Sequence, residues 1–267
     1  MCLNPNEDVV VKGGGGSVQN NAFFICEGCI FEGNTAANGG GGGLMVLNRR
    51  SVVVLDSSQF VRNVAGFGGA VAEENSNGSV VTDCKFYGNS AVTTGGAVHS
   101  FHNPLVLLSS CKFVNNTCTS DLSQGGTLYL REGKLSIYDS FISGGNAGFG
   151  GGVYTEGVEV NIERSVFSGC TALRQGGAIE VTSFSSLSFK LSTILRCVAG
   201  QSGGGIYVSS SSTVDVMKSR FENLTSGASG GVIYLEYRSK LTSASSTYLH
   251  NMAGICDVLS MCCSDLR

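Results

Sequence analysis

The chain has 267 residues, of which 39 are glycine and only 2 are proline, and 42% are hydrophobic. This composition excludes a collagen-like chain and a disordered linker, because neither carries so many aliphatic residues. The formal net charge of −3 leaves no basic excess to neutralise phosphates, so we expect no nucleic-acid partner. No apolar run reaches the roughly 18 residues that a membrane-spanning helix needs, and we therefore predict no membrane span.

A repeat of about 27 residues runs through the chain. Its first mark is an apolar anchor residue, and successive anchors are separated by 29, 26, 27, 28, 26, 27, 27 and 27 residues. Small residues, mostly serine or cysteine, stand two places before the anchor, and asparagine often stands three places after it. The anchors are Phe31, Phe60, Phe86, Phe113, Phe141, Phe167, Ile194, Phe221 and Tyr248.

A Gly-Gly doublet followed by apolar residues is the second mark of the repeat. The doublets are Gly42-Gly43, Gly68-Gly69, Gly95-Gly96, Gly125-Gly126, Gly151-Gly152, Gly176-Gly177, Gly204-Gly205 and Gly230-Gly231, after a degenerate copy in the run 13–16. Two marks that keep one period over the whole chain indicate a repeat architecture. The doublets predict sharp corners where φ is positive or where no Cβ fits between repeats.

Each repeat contains three short stretches of β-like sequence. They alternate apolar and polar residues and end at Gly, Ser, Asn or Asp, as in 51–55 and 158–162, and no helical stripe is present. Three short strands per repeat predict an all-β solenoid, a single-stranded right-handed parallel β-helix of about nine coils. We predict one domain over 1–267, with repeats over 13–254 and capping segments at 1–12 and 255–267.

Residues one repeat apart are expected to lie directly above one another. Parallel strands of successive coils stack at about 4.8 Å, so the anchors Phe86 and Phe113 should form an interior aromatic stack. The asparagines, such as Asn63 and Asn89, should form a ladder of side-chain hydrogen bonds.

The paired motif Phe-x-x-Asn and Gly-Gly-Ala-(Ile/Leu/Val) resembles the repeats of the chlamydial polymorphic membrane proteins. Full pairs occur at 60–63 with 68–71 and at 86–89 with 95–98. The resemblance covers roughly residues 13 to 254. It implies a passenger domain of a right-handed β-helix family, located at a cell surface, in the outer membrane or outside the cell. It also implies an adhesive role toward a surface protein or glycan of a host or neighbouring cell.

Two features of that family are not expected in this sequence. Its members resemble autotransporters with an amino-terminal signal and a carboxy-terminal membrane barrel, whereas the acidic segment 1–8 has no apolar core and predicts no signal peptide. The resulting prediction is a non-catalytic surface-displayed or secreted module with an adhesive, structural or interaction role. The alternative is a carbohydrate-active enzyme or a glycan-binding module with a fold like that of pectin lyase.

The enzyme alternative depends on clustered carboxylates, which acid/base catalysis on sugars requires. The nearest candidates are Asp56 and Asp83, at roughly equivalent positions of adjacent repeats, with Asp139 and Glu163 further along the same side. We interpret these acids as solvated corner residues. The histidines, His99, His102 and His250, are interpreted as surface residues. No catalytic residue, metal site or cofactor is therefore predicted.

Several of the 11 cysteines recur at repeat positions. Cys84 and Cys111 share one position, and Cys170 and Cys197 share another, which indicates buried thiols that behave as small hydrophobes. Cys26-x-x-Cys29 partly resembles a zinc or redox motif, but its potential partners Cys256, Cys262 and Cys263 lie at the other end of the predicted rod. A terminal Cys2–Cys26 or Cys256–Cys262 disulfide is a further possibility.

Tyrosines follow several of the Gly-Gly doublets by two or three places. They are Tyr129, Tyr154, Tyr207 and Tyr234. A tyrosine stripe on one face could stack against sugar rings or against a partner protein, and glutamates fall nearby at Glu73, Glu156, Glu180 and Glu236. The other interpretation is ordinary strand propensity. The four tyrosines are the candidate binding residues.

Overall fold

The computed structural model describes residues 10–12, 15–47, 51–255 and 259–261. They form an all-β, right-handed parallel solenoid of about nine coils with three strands per coil, which confirms the predicted fold. Every strand pairs in parallel with its equivalent in the next coil, as Lys85–Tyr87 does with Lys112–Val114. Among the described residues no helix is long and apolar enough to cross a membrane.

Three sheets run along the axis of the solenoid. The anchor sheet has ten strands: Val10–Lys12, Ile30–Glu32, Gln59–Val61, Lys85–Tyr87, Lys112–Val114, Phe141–Ser143, Val166–Ser168, Thr193–Leu195, Arg220–Glu222 and Thr247–Leu249. The short sheet has nine: Thr35–Gly40, Val64–Phe67, Ser90–Thr94, Thr117–Cys118, Asn146–Phe149, Thr171–Gln175, Val198–Ala199, Thr225–Ser226 and Met252–Ala253.

The long sheet follows the glycine corner and has 16 strands. Ten form its main path: Gly16–Val18, Leu44–Leu47, Val71–Glu74, Val98–Ser109, Leu128–Tyr138, Val153–Glu163, Ile179–Thr182, Ile206–Val208, Ile233–Leu235 and Leu259–Met261. Six extend it: Phe23–Glu27, Val52–Asp56, Ser79–Thr82, Ser186–Lys190, Thr213–Met217 and Lys240–Ala244.

The anchor residues form the predicted interior stack. The ring centroids of Phe86 and Phe113 are 4.5 Å apart with planes within 10°, and Phe31 and Phe60 are 4.6 Å apart. Further along, the anchor Ile194 has no ring. There Phe189, from the neighbouring sheet, lies 6.2 Å from Phe167 and 5.7 Å from Phe221, so that aromatic packing continues past the aliphatic anchor.

One anchor prediction was wrong by a single residue. Phe113 pairs with Ile142 rather than with Phe141, and the Phe141 side chain faces outward with 37% of its surface exposed. Ile142 is the interior residue because side chains alternate between the two faces of a strand. The small residue two places earlier is then Ser140 rather than Asp139, which restores the serine or cysteine found there in the other coils.

Two polar ladders accompany the stack. The Asn34 amide donates to Asn63 Oδ1 at 2.8 Å, and the Asn89 amide donates to Asn116 Oδ1 at 2.9 Å. In the second ladder a backbone N–H donates to the serine hydroxyl of the next coil, as Ser165 does to Ser192 at 3.0 Å. Both ladders satisfy buried polar groups that would otherwise be costly.

The glycine corner follows the predicted geometry. Gly68 has a φ of 58°, and a Cβ on Gly69 would lie 2.2 Å from the carbonyl oxygen of Gly96 in the next coil. In three coils the corner begins one glycine earlier than predicted. The corner doublets there are Gly41-Gly42, Gly150-Gly151 and Gly203-Gly204, whose first residues have positive φ. Of the degenerate first copy, residues 13 and 14 lie outside the described residues.

Candidate functional site

The four predicted tyrosines lie in one column on the outer face of the long sheet. The strand register places Tyr129 beside Tyr154 and Tyr207 beside Tyr234. Glu180 occupies the coil between the two pairs. His99 precedes Tyr129 in the same register. We call these six residues the tyrosine column.

His99 was not predicted to belong to this site, and Glu180 was predicted only to fall near it, although the sequence contains a signal for both. Every member of the column stands four residues after the positive-φ glycine that opens its corner. These glycines are Gly95, Gly125, Gly150, Gly176, Gly203 and Gly230. The strand after each corner starts in the same phase, so the fourth residue always points outward.

The tyrosine column is buried although its side chains point outward. Tyr129, Tyr154 and Tyr207 are only 6%, 7% and 3% exposed. The rings of Tyr129 and Tyr154 stack with centroids 5.7 Å apart, and so do those of Tyr207 and Tyr234. This corrects the expectation of exposed ring faces. Because the coil spacing brings equivalent rings into contact, the rings cover one another within each pair and mainly their edges face outward.

One wall beside the column comes from the bulged ends of the short sheet. Thr94 Oγ1 lies 2.9 Å from His99 Nδ1 in a hydrogen bond, and the Phe67 ring packs against His99 with centroids 4.8 Å apart. Further along, the Arg174 guanidinium lies over the Phe149 ring at 5.6 Å. The contacts of Thr94 and Phe67 bury His99 at this side of the column.

The opposite wall lies two residues further along each strand of the long sheet. Arg131 lies over the Phe101 ring at 5.5 Å and forms an ion pair with Glu156 at 3.5 Å. Glu74 lies 4.0 Å from His99. The column is thus a shallow groove floor between an aromatic wall and a wall that carries charged groups.

Glu180 is the acidic member of the groove floor. It is 5% exposed, and its Oε2 atom makes no hydrogen bond. Burial raises the pKa of Glu180 well above its usual value, and the charge of Glu236 adds to this shift. Glu236 accepts a hydrogen bond of 2.5 Å from the Tyr207 hydroxyl. Burial and this carboxylate together raise the pKa of Tyr207.

The prediction that the histidines are surface residues was wrong for His99. Its ring is buried against Phe67 and Tyr129, and burial lowers the pKa of His99 to about 4. His102 and His250 are exposed, and His102 forms an ion pair with Glu132 at 2.5 Å.

The acids of the enzyme alternative do not form one cluster. Asp56 pairs in register with Thr82 rather than with Asp83, which corrects the predicted equivalence. Asp83 lies at the following corner, where its φ is 52°. Further along, Asp139 and Glu163 both bind Arg164.

The cysteines divide into one disulfide and several buried thiols. Cys26 and Cys29 are joined in a disulfide, so Cys26 does not form the Cys2–Cys26 bridge that was one of the two possibilities considered. The stacked cysteines are buried free thiols as predicted, namely Cys84, Cys111, Cys170 and Cys197. The cysteines at 2, 256, 262 and 263 lie outside the described residues. In the part of the chain that the structure describes, no three His, Cys, Asp or Glu side chains are placed to hold a metal ion.

Comparison with known proteins supports the architecture. The family model of the right-handed β-helix region matches residues 99–263. No curated protein and no solved structure matches the chain. The matched segment covers more than half of the sequence, and it includes the tyrosine column and the coils around it. The chain therefore belongs to the right-handed β-helix family.

Proposed function

We propose that this chain is a non-catalytic recognition module, displayed at a cell surface or secreted, that binds a protein or glycan of a host or neighbouring cell. The observation that carries the proposal is the tyrosine column, which runs along the axis between two walls. Tyrosine combines a rigid apolar ring with a polar tip, which suits recognition at low conformational cost. An extended ligand would lie along the rod and meet ring edges and wall carboxylates.

The test begins with a binding screen of the full chain. Fluorescently labelled protein is applied to a glycan array and to intact cells, and a bound ligand is then titrated against a Tyr129→Phe/Tyr154→Phe variant. This variant removes two hydroxyls and keeps the stacked rings. We expect affinity to fall by about tenfold, because each hydroxyl contributes roughly one hydrogen bond. Tyr87→Phe, on the outer face of the anchor sheet, is the matched control.

Unchanged affinity in the double variant would contradict the proposal. The enzyme alternative is tested with the same protein in a reducing-sugar release assay on polysaccharides. Turnover that disappears in Asp83→Asn would replace the recognition function with a catalytic one.

A further inference from the structure

One position of the tyrosine column has no ring. Tyr154 stacks on Tyr129 on one side and adjoins Glu180 on the other, and Tyr207 stacks on Tyr234 and adjoins Glu180 in the same way. Tyr154 and Tyr207 therefore each have one face with no ring stacked on it, and these two faces flank the same carboxyl group.

The Glu180 carboxyl group is buried without a paired cation among the described residues. Its Oε2 atom has no hydrogen-bond partner, and none of the ion pairs among the described residues includes it. The carboxylate of Glu236 is close enough to raise the pKa of Glu180 further. An isolated buried carboxylate is costly unless it is protonated or paired, so a cation that reaches this position supplies the pairing that the ionised form of Glu180 lacks.

We propose that Glu180, with the flanking faces of Tyr154 and Tyr207, binds the ammonium group of a lysine side chain from a partner protein. This inference rests on the proposed recognition function. The ammonium group pairs with Glu180 Oε2, and the two ring faces attract the cation through their π systems. Glu236, oriented by the Tyr207 hydroxyl, supplies a second negative charge beside it.

The burial of Glu180 favours lysine over other cations. Glu180 is only 5% exposed, and it occupies the single coil between Tyr154 and Tyr207. A compact ammonium group on an unbranched alkyl chain brings its whole charge to one carboxyl oxygen, whereas the guanidinium of arginine spreads its charge over a larger group.

Binding is coupled to ionisation of Glu180. Among the described residues, Tyr154 and Tyr207 adjoin Glu180 from the neighbouring coils, and the charge of Glu236 acts on it. Burial holds the pKa of Glu180 above its usual value, whereas a bound ammonium favours the ionised form. The affinity for lysine is therefore expected to increase as pH rises.

The experiment titrates the full chain with Nα-acetyl-lysine methylamide and follows the tyrosine ring resonances by NMR. The neutral probe is the same compound acetylated on Nε. We expect the charged probe to bind at least about tenfold more tightly than the neutral probe, and Glu180→Gln to abolish this difference. Asp215→Asn, on another part of the long sheet, should bind like the unmodified chain.

Four results would overturn the inference: no binding of the charged probe, equal binding of both probes, unchanged binding by Glu180→Gln, or binding of glucosamine in place of the lysine probe. The comparison of the two probes on the unmodified chain needs no variant, so a folding defect in Glu180→Gln cannot obscure it. If Tyr129→Phe/Tyr154→Phe weakens binding to a cell or glycan while Glu180→Gln does not, the lysine site is refuted and the recognition function stands.

Discussion

The side-chain amide of Asn63 donates a hydrogen bond of 3.0 Å to Oδ1 of Asn89, one coil further along the solenoid. The same oxygen accepts the backbone N–H of Asn63, and the Asn89 amide donates to the carbonyl of Phe60 and to Asn116. One side chain thus satisfies polar groups of three coils. The ladder links neighbouring coils through the interior.

Asn89→Ala should destabilise the protein strongly. It removes the acceptor of the Asn63 backbone N–H and of one Asn63 amide N–H, and it removes one donor to the Phe60 carbonyl. The Asn63 amide keeps its other hydrogen bond, to the Phe31 carbonyl. Each buried unsatisfied group costs about 1–3 kcal/mol. We expect the free energy of unfolding to fall by about 3–5 kcal/mol, measured by urea denaturation. Asn161→Ser is the control, because Ser136 and Ser188 occupy the same outer position in the adjacent coils. A loss below about 1 kcal/mol for Asn89→Ala would show that the ladder contributes little.

Gly96→Ala should prevent correct stacking at the glycine corner. A Cβ at this position would lie 2.1 Å from the carbonyl oxygen of Gly126 in the next coil. This clash can be relieved only if the backbones of adjacent coils separate. We therefore expect the free energy of unfolding to fall by more than about 4 kcal/mol, or the variant to fail to fold and give little soluble protein. Gly169→Ala is the matched control. Its φ is 61° with open space around it, so it should cost only about 1–2 kcal/mol of backbone strain. If Gly96→Ala and Gly169→Ala lower the stability equally, the close contact with Gly126 is not the cause of the loss.

Glu73 should make stability depend on pH. Its side chain points into the solenoid, where it is 1% exposed, and burial raises the pKa of Glu73 from an ordinary 4.5 to about 7. The unfolded chain therefore loses this proton at lower pH than the folded chain. Stability due to this group falls as pH rises from about 4.5 to about 7, by a total of about 3 kcal/mol, and is constant above that range.

Urea denaturation at pH 5 and pH 8 tests this dependence. Glu73→Gln cannot ionise, so its unfolding free energy should decline less between the two pH values than that of the unmodified chain. Glu159→Gln, which removes an exposed carboxylate paired with Lys134, should retain the decline. If the unfolding free energies of the unmodified chain and of Glu73→Gln decline equally with pH, Glu73 is not the cause of the decline.

The stacked thiols should resist alkylation in the folded protein. Burial raises the pKa of Cys84 to about 12 and that of Cys111 to about 11, and the thiolate is the reactive form. Iodoacetamide should label neither residue within hours at pH 8, as measured by peptide mass spectrometry, and should label both in urea. Rapid labelling of Cys84 in the native protein would show that the coils open locally.

Much of the fold could be predicted because a solenoid repeats one local structure. The period alone places Phe86 above Phe113, since equivalent residues of adjacent coils must align. It was harder to predict which residue of each strand points into the interior. At Phe141 an aromatic residue stood beside the true anchor Ile142, and only the serine two places earlier distinguished them. Hydrophobicity alone does not tell which of two adjacent apolar residues points inward.

The sequence by itself determined the coil, its three strands and the alignment of the four tyrosines, because all of these depend on spacing along the chain. Only the tertiary structure decided that the tyrosines are buried, since rings from adjacent coils stack on one another. It also decided that Glu180 is buried between Tyr154 and Tyr207, without an ion pair to any residue that the structure describes. Burial and electrostatic environment are set by neighbours from other coils, and local sequence does not encode them.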